Sequence, residues 1–519
     1  MSIRRTSLPA LLVSSLALSS VLGFSHPVSG HSNLRNVQPA IAAASSPYTL
    51  YLPLISNRFP LETVYTLYLP LVSNRFPLET VFGVEMRRIT TSGGLDQVAS
   101  ANTTWVRRNG VLWADIEPNE GTRNWDALAG LEQELIDANV NNLQVILIVR
   151  KTPGWAQKVS GYSCGPISEE KLGAFGNFMY DLVSRYSHPP YNVKYWEMWN
   201  EPDVDPALAG LIGGDGISFG CWGDSTDPYY YGGGYYAEML KVVYPRIKAA
   251  DPQAQVIVGG LLLDCDPRGS PSICDTTGHD NRPPKFLEGI LLNNGGPYFD
   301  GVGFHAYENF GNALGHYSLW TWNSAWNTTG SATIAKARFI EKVLDTYNIS
   351  DKFIMNTETA IVCGGFDDPP GQPPCESDPT SAFEQTKAYY VAQVYAAAIA
   401  EGLRANIWFS ILGWRNSGLL TSSGAPRPAY DSYQFARSEL MNASFVGDID
   451  SVDTGGVSGI KGYKFILGDR TIWLLWSLDG TEHSISFSTL PRVIFDVFGN
   501  VLPTSNSLDV NLMPLYIEW

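Results

Sequence analysis

Two glutamates stand out because each follows an apolar stretch and opens onto a polar exit. Glu201 ends the run Tyr195-Trp196-Glu197-Met198-Trp199-Asn200-Glu201-Pro202-Asp203, and Glu358 sits in Lys352-Phe353-Ile354-Met355-Asn356-Thr357-Glu358-Thr359-Ala360. Two carboxyl groups held in different protonation states can break an acetal bond. One gives its proton to the leaving oxygen and later takes one from water, while the other stays ionised and attacks the anomeric carbon. The distance between the two carboxyls decides between retention and inversion, and sequence does not set that distance. Taken singly, each glutamate reads equally as a loop carboxylate or as half of a structural ion pair.

The elements that must position this pair follow from the pattern around it. Short β runs occur at 83–87, 103–108, 143–149, 193–198, 255–262, 299–305, 352–356 and 405–410, separated by amphipathic helical stretches such as 171–186, 235–250, 335–347 and 384–402. Strand–helix units imply a parallel sheet, and eight of them favour a closed (β/α)8 TIM barrel over an open sheet. A helix over 429–441 completes the ring, so the catalytic barrel is expected at 83–441. Barrels place their chemistry at the C-terminal strand ends, where Glu201 leaves the fourth run and Glu358 the seventh. Along a strand, Glu197, Trp199 and Glu201 share one parity and Asn200 has the other. A bend at the strand end would turn both Asn200 and Glu201 to the cleft. Beyond Phe445 the pattern changes to short strands with turns such as Leu478-Asp479-Gly480 and Phe498-Gly499-Asn500. This predicts a small antiparallel β-sandwich at 445–519, packed on the barrel.

With Trp199-Asn200-Glu201-Pro202 after strand four and Glu358 after strand seven, the chain resembles clan A of the retaining glycoside hydrolases over roughly 83–441. The stretch Tyr191 to Trp196 resembles the β-xylosidase and α-iduronidase branch, and also the broad cellulase-like branch. The resemblance implies that Glu201 is the acid/base, that Glu358 is the nucleophile, and that Asn200 meets the sugar 2-hydroxyl. It implies an arginine on strand two beside the nucleophile. Trp105-Val106-Arg107-Arg108 offers two, of which Arg107 fits the Val-Arg pattern. An arginine there would keep the nucleophile ionised. His305 and Tyr307 match residues that orient the carboxylates. Trp408 matches the platform under the sugar, with Trp414 as its rival. Trp113 and Trp155 are candidates for further subsites, and Glu85 for a sugar hydroxyl. For each of these aromatics a place in the core is the competing reading, as it is for His305.

Composition narrows the alternatives. The net charge is −16, and no Lys/Arg run exceeds two residues. A nucleic-acid partner is therefore not expected, since phosphate binding needs a basic footprint. Aromatic residues make up 12% of the chain, including 15 Trp, in keeping with flat rings for sugar faces. Residues 1–30, with Arg4 and Arg5 before the apolar stretch Leu8 to Phe24, read as an export signal and predict a secreted protein. The segment 31–82 carries a tandem 17-residue repeat at 48–64 and 65–81, differing only at Ile55 and Val72. A spacer or cell-surface association is expected of it. Cys164, Cys221, Cys265, Cys274, Cys363 and Cys375 allow fifteen pairings. Three disulfides are expected, with 265–274 and 363–375 closing short loops and 164–221 joining longer ones. The acidic residues Asp367, Asp368, Glu376 and Asp378 read as a surface loop, with a structural calcium as the alternative. The proposed chemistry requires no cofactor and no catalytic metal. The function expected is hydrolysis of β-glycosidic bonds by double displacement. The alternatives are an inactive carbohydrate-binding protein on the same fold and a transferase using the same intermediate. Sugar specificity and oligomeric state are not legible.

Overall fold

The computed structural model describes residues 80–206, 219–224, 226–227, 231–263, 285–311, 313–318, 331–363 and 381–519. All of them belong to the second of two units of the chain, Arg75–Trp519. The expected export signal, the tandem repeat up to residue 79, Cys265, Cys274, Cys375 and the acidic run 367–378 lie outside the described residues. No helix among the described residues is long and apolar enough to cross a membrane.

Eight parallel strands form a closed barrel: β1 (Phe82–Glu85), β2 (Trp105–Leu112), β3 (Gln144–Arg150), β4 (Tyr195–Asn200), β5 (Gln255–Leu261), β6 (Gly301–Phe310), β8 (Phe353–Val362) and β9 (Ala405–Trp408). They pair in the order β5-β4-β3-β2-β1-β9-β8-β6, and β5 pairs with β6 to close the ring. A two-residue strand, β7 (Tyr317–Ser318), runs antiparallel on the extended end of β6. All eight β runs expected from the sequence are barrel strands.

Period-two alternation sorts the side chains. Trp105, Ile146, Tyr195, Ile257, Met355, Ala405 and Ile407 form the packed interior of the barrel, with Phe353 against them. Glycines on the neighbouring strands make room for the large members: a Cβ at Gly301 would lie 2.0 Å from the Phe353 ring. The opposite parity, including Phe82, Val84, Val106 and Trp408, joins the larger core shared with the surrounding helices. Interior residues one layer above this apolar plug are polar, and they are where the candidate site begins.

The C-terminal region is an antiparallel β-sandwich. Six strands pair in the order β10 (Ser444–Asp448), β11 (Ile460–Leu467), β12 (Arg470–Ser477), β17 (Leu515–Glu518), β14 (Val493–Phe495) and β15 (Val501–Leu502). A second sheet consists of β13 (His483–Ser486) and β16 (Ser507–Val510). The last two strands, β16 and β17, lie in different sheets. They are separated by Asn511–Pro514, where proline cannot donate to a ladder. One face of the large sheet, with Phe465, Ile472, Leu474 and Tyr516, merges with the barrel core. Phe435, from the last barrel helix Pro428–Leu440, stands edge-on to Tyr516 with ring centres 5.1 Å apart. The other face, with Leu475 and Ile517, packs on Ile485 and Val510 of the small sheet.

Candidate active site

Arg107 is the centre of the site. Two residues above the interior Trp105, it points into the barrel and is completely buried. Its neighbour Arg108 has the outward parity and pairs with Glu134 of the helix Ala129–Val140, at 2.7 Å. Alternation thus separates the two arginines that sequence left as rivals. A buried guanidinium needs anions and acceptors. Arg107 Nε and Nη2 donate to the two oxygens of Glu197 at 2.7 and 3.1 Å, Nη1 to Glu85 at 2.7 Å, and Nη2 to Asn200 Oδ1 at 2.6 Å. Nη1 also donates to Glu358. These neighbours, Glu197 and Glu85 foremost, overcome the cost of burial and hold the Arg107 pKa well above its ordinary value.

The end of β4 departs from regular alternation. Trp199 has φ +66° and Glu201 φ +49°, both left-handed conformations that cost a bulky residue free energy. The turn at Trp199 sends its indole outward, against Phe175 and Trp222, with Nε1 donating to the Cys164 carbonyl at 3.0 Å. It brings Asn200 inward, within reach of Arg107. Cys164 is disulfide-bonded to Cys221, and the Cys221 N–H also donates to the Cys164 carbonyl at 3.0 Å. The covalent link between the loops after β3 and β4 therefore lies directly under the bend. Cys363 is disulfide-bonded as well, and its partner lies outside the described residues.

Glu201 and Glu358 meet across the barrel mouth. Glu201 Oε1 is 2.7 Å from His305 Nδ1, and Glu358 Oε2 is 3.4 Å from the same nitrogen. The Tyr307 hydroxyl donates to Glu358. A carboxylate oxygen of Glu201 and one of Glu358 lie within 4.8 Å of each other. Both residues are nearly buried, and so are Asn200, Glu85 and Tyr307, with His305 fully so.

The two carboxyls have different surroundings. Burial pushes Glu201 well above the usual carboxylate range, and the charges of Glu358 and Asp203 push it further. Burial also raises Glu358, but Arg107 and the Tyr307 hydroxyl stabilise its ionised form and pull it back. Burial, reinforced by the charges of Arg107 and Lys336, drives His305 well below the ordinary imidazole value, so it is neutral. Burial raises the Tyr307 phenol well above 10, which keeps it a hydrogen donor. Glu85 is pushed up to about 8 by burial, against the pull of Arg107.

The surrounding backbone is fixed by buried polar groups. Asp203 accepts from the N–H groups of Leu262 and Leu263 at 2.9 and 2.8 Å. Lys336 donates to the carbonyls of Leu262 and His305, each at 2.8 Å. Glu201, His305 and Glu358 form the one His/carboxylate group among the described residues close enough to hold a metal ion. His305 Nδ1 is engaged by Glu201, and Glu358 by Arg107 and Tyr307.

The aromatic candidates divide. Trp408 is completely buried, with its N–H on the Ser417 carbonyl at 2.8 Å and its ring 6.1 Å from Tyr390 in the helix layer. This corrects the expectation of a platform there, because Trp408 has the outward parity of β9. The next residue, Phe409, is half-buried, with its ring edge-on to Tyr307 at 5.8 Å. It is the aromatic side chain at the cleft that sequence reasoning missed. Trp113 is likewise corrected to the core: it is fully buried against Phe175 and bonded to Glu117 at 2.9 Å. Trp155 is half-buried, and Trp414 is 42% exposed on the loop after β9. Glu197 was also missed: it shares the parity of the interior Tyr195, but the sequence does not say which parity of that strand is interior.

No family model and no curated protein sequence matches the chain. Solved structures do. A family 39 glycoside hydrolase from the gut symbiont Bacteroides cellulosilyticus aligns over 85% of this chain and 80% of its own, with TM-score 0.59 and 18% identity. A conserved exported protein from Bacteroides fragilis covers 85% of this chain and 99% of its own, with TM-score 0.54 and 10% identity. A GH30 endoxylanase from Clostridium papyrosolvens covers 85% and 97%, with TM-score 0.51 and 12% identity. At these identities the likeness is one of fold: the chain has a (β/α)8 barrel like that of the clan A glycoside hydrolases.

Proposed function

We propose that this chain is a retaining glycoside hydrolase of β-glycosidic bonds, with Glu358 as nucleophile and Glu201 as acid/base. The observation that carries the reading is a pair of carboxyls, one oxygen of each within 4.8 Å of the other, of which burial raises both while hydrogen bonds from Arg107 and Tyr307 draw Glu358 back toward its ionised form. Retaining enzymes hold the pair about 5 to 5.5 Å apart, whereas inverting enzymes leave about 6.5 to 9.5 Å for a water. In the first step a Glu358 oxygen attacks the anomeric carbon, the glycosidic bond breaks, and Glu201 gives its proton to the leaving oxygen. In the second, Glu201 takes a proton from water, the water oxygen attacks the same carbon, and the ester bond to Glu358 breaks.

Neutral His305 supports this division. Its Nε2 has no hydrogen-bond partner among the described residues, so the ring proton is best placed on Nδ1, donating to Glu201 Oε1. The second oxygen of Glu201 then carries the proton to the leaving group. Arg107 holds Oδ1 of Asn200, which orients the amide so that its NH2 meets the sugar 2-hydroxyl. Phe409 and Trp414 are proposed as aromatic contacts for the sugar, and Glu85 as a hydroxyl partner. Export is part of the same proposal, and the Cys164–Cys221 disulfide supports it.

The fold shared with a family 39 glycoside hydrolase and an endoxylanase makes β-xylosides and xylans the first substrates to try. The test is a panel of 4-nitrophenyl β-glycosides and plant polysaccharides, given to the full chain and to Glu358→Ala. Turnover by the full chain that vanishes in the variant is the expected result. A full chain silent on every substrate yet retained by an immobilised glycan would make it a binding protein.

A further inference from the structure

One buried carboxylate at the site has no step in the proposed reaction. Glu197 is completely shielded from solvent, so it cannot touch a substrate. Its hydrogen bonds go to Arg107 and Gly260, which in turn hold the residues proposed to do so. Its two oxygens take Arg107 Nε at 2.7 Å and Nη2 at 3.1 Å, a two-pronged grip that fixes the plane of the guanidinium. The rest of that plane is presented to the reaction: Nη1 to Glu358 and Glu85, and the second bond of Nη2 to Asn200. Glu197 Oε1 also accepts the Gly260 N–H at 2.6 Å, and the Gly260 carbonyl in turn accepts the Glu201 N–H at 2.9 Å. One carboxylate thus grips the group that orients the nucleophile and the residue from which the acid/base backbone hangs.

We propose that Glu197 is a positioning residue for both half-reactions, orienting Arg107 against Glu358 and Asn200, and Gly260 against Glu201. This rests on the reading of Glu201 and Glu358 given above. Its charge has a second effect. The groups facing Glu358 are Glu85 from β1, Arg107 from β2, Glu197 from β4, Glu201 just beyond its end, and His305 and Tyr307 from β6. Arg107 stabilises the ionised Glu358, and Glu197 opposes that stabilisation. Sharing the guanidinium with Glu197 therefore leaves Glu358 a stronger base and a better nucleophile than a lone Arg107 partner would.

The test uses the full chain and the 4-nitrophenyl β-glycoside it turns over best. Glu197→Gln keeps the shape and removes the charge. The expected result is a fall in kcat on the order of 10²-fold, as for a misplacement near 1 Å, with a smaller change in KM. The acidic limb of kcat/KM should move to lower pH, because Glu358 loses a negative neighbour and keeps its positive one. A merely structural ion pair would lower Tm and leave that limb in place. Glu197→Asp keeps the charge and withdraws the carboxylate from the fork. It should lose kcat with the limb at its original pH, and it serves alone if Glu197→Gln does not fold. A folded Glu197→Gln with unchanged kcat and limb, or a folded Glu197→Asp with unchanged kcat, would overturn the proposal. Glu358→Ala in the same assay separates the two levels. If that variant keeps its turnover, the catalytic reading falls and the role of Glu197 falls with it. If it is dead while the Glu197 variants behave like the parent, only the positioning role is lost.

Discussion

A single methyl group at position 260 tests how tightly the acid/base is held. The Gly260 backbone is not left-handed, so alanine meets no conformational penalty there, and the effect of Gly260→Ala comes from contact alone. The new Cβ would lie 2.1 Å from His305 Nε2, 2.7 Å from its Cδ2 and 2.7 Å from Thr357 Oγ1. Ordinary contact begins at 3.4 Å, so the ring must retreat by about 1.3 Å, the difference. That movement is large beside the 2.7 Å bond from His305 Nδ1 to Glu201. Overpacking of this kind costs about 1 to 3 kcal/mol of stability, and a misplacement near 1 Å costs roughly 10²-fold in rate. The assay compares kcat on a 4-nitrophenyl β-glycoside with kcat on an alkyl β-glycoside of the same sugar, alongside thermal melting. A nitrophenolate leaves without much help, whereas an alkoxide needs the Glu201 proton. The loss should therefore be larger for the alkyl substrate. A folded Gly260→Ala with unchanged turnover of the alkyl glycoside would refute the argument that His305 places Glu201.

Three further outcomes follow from the same geometry. Tyr307→Phe removes a hydrogen bond to ionised Glu358, of a kind worth about 1.5 to 3 kcal/mol. The acidic limb of kcat/KM should move to higher pH, opposite to Glu197→Gln, because the ionised form has lost a donor; pH–rate profiles of the two variants check the signs. Trp414→Ala should raise KM with little change in Tm, since the ring is 42% exposed, whereas Trp113→Ala should cost about 3 to 5 kcal/mol of stability with KM little changed; steady-state kinetics and calorimetry tell them apart. Replacing Cys164 and Cys221 together by serine should cost about 2 to 4 kcal/mol and lower kcat as well, because the Cys164 carbonyl holds the Trp199 indole at the bend; a melt and a rate on the same sample decide it.

The barrel was legible because its signal is repeated eight times, and Glu201 and Glu358 were candidates because each follows a β run read from sequence, although Glu358 lies within the longer strand β8. Arg107 and Arg108 were separable in principle by counting from an interior residue, but the sequence does not say that Trp105 is interior. The same blindness misplaced Trp408. Its type suits a platform, yet β9 turns Ile407 inward and Trp408 toward the helices. Trp113 failed for a related reason: a ring at a strand end can close the helix layer as readily as line a cleft. Glu197 was hidden by its surroundings, since a charge inside an apolar strand declares itself only when its partner Arg107 is seen beside it. The bend that brings Asn200 inward was foreseeable as a break in alternation. Its form, left-handed backbone at Trp199 and Glu201 over a disulfide, depends on contacts from distant loops.

The central claim is double displacement through Glu358, and the anomeric configuration of the first product measures it most directly. Proton NMR during the earliest turnover of a β-glycoside by the full chain reads that configuration before mutarotation blurs it. The carboxyl spacing predicts a β-configured first product. It also predicts that Glu358→Ala, nearly inactive alone, yields an α-glycosyl azide when azide is supplied. An α-configured first sugar from the unmodified enzyme would contradict the account, because it would mean that water, and not Glu358, attacks the anomeric carbon.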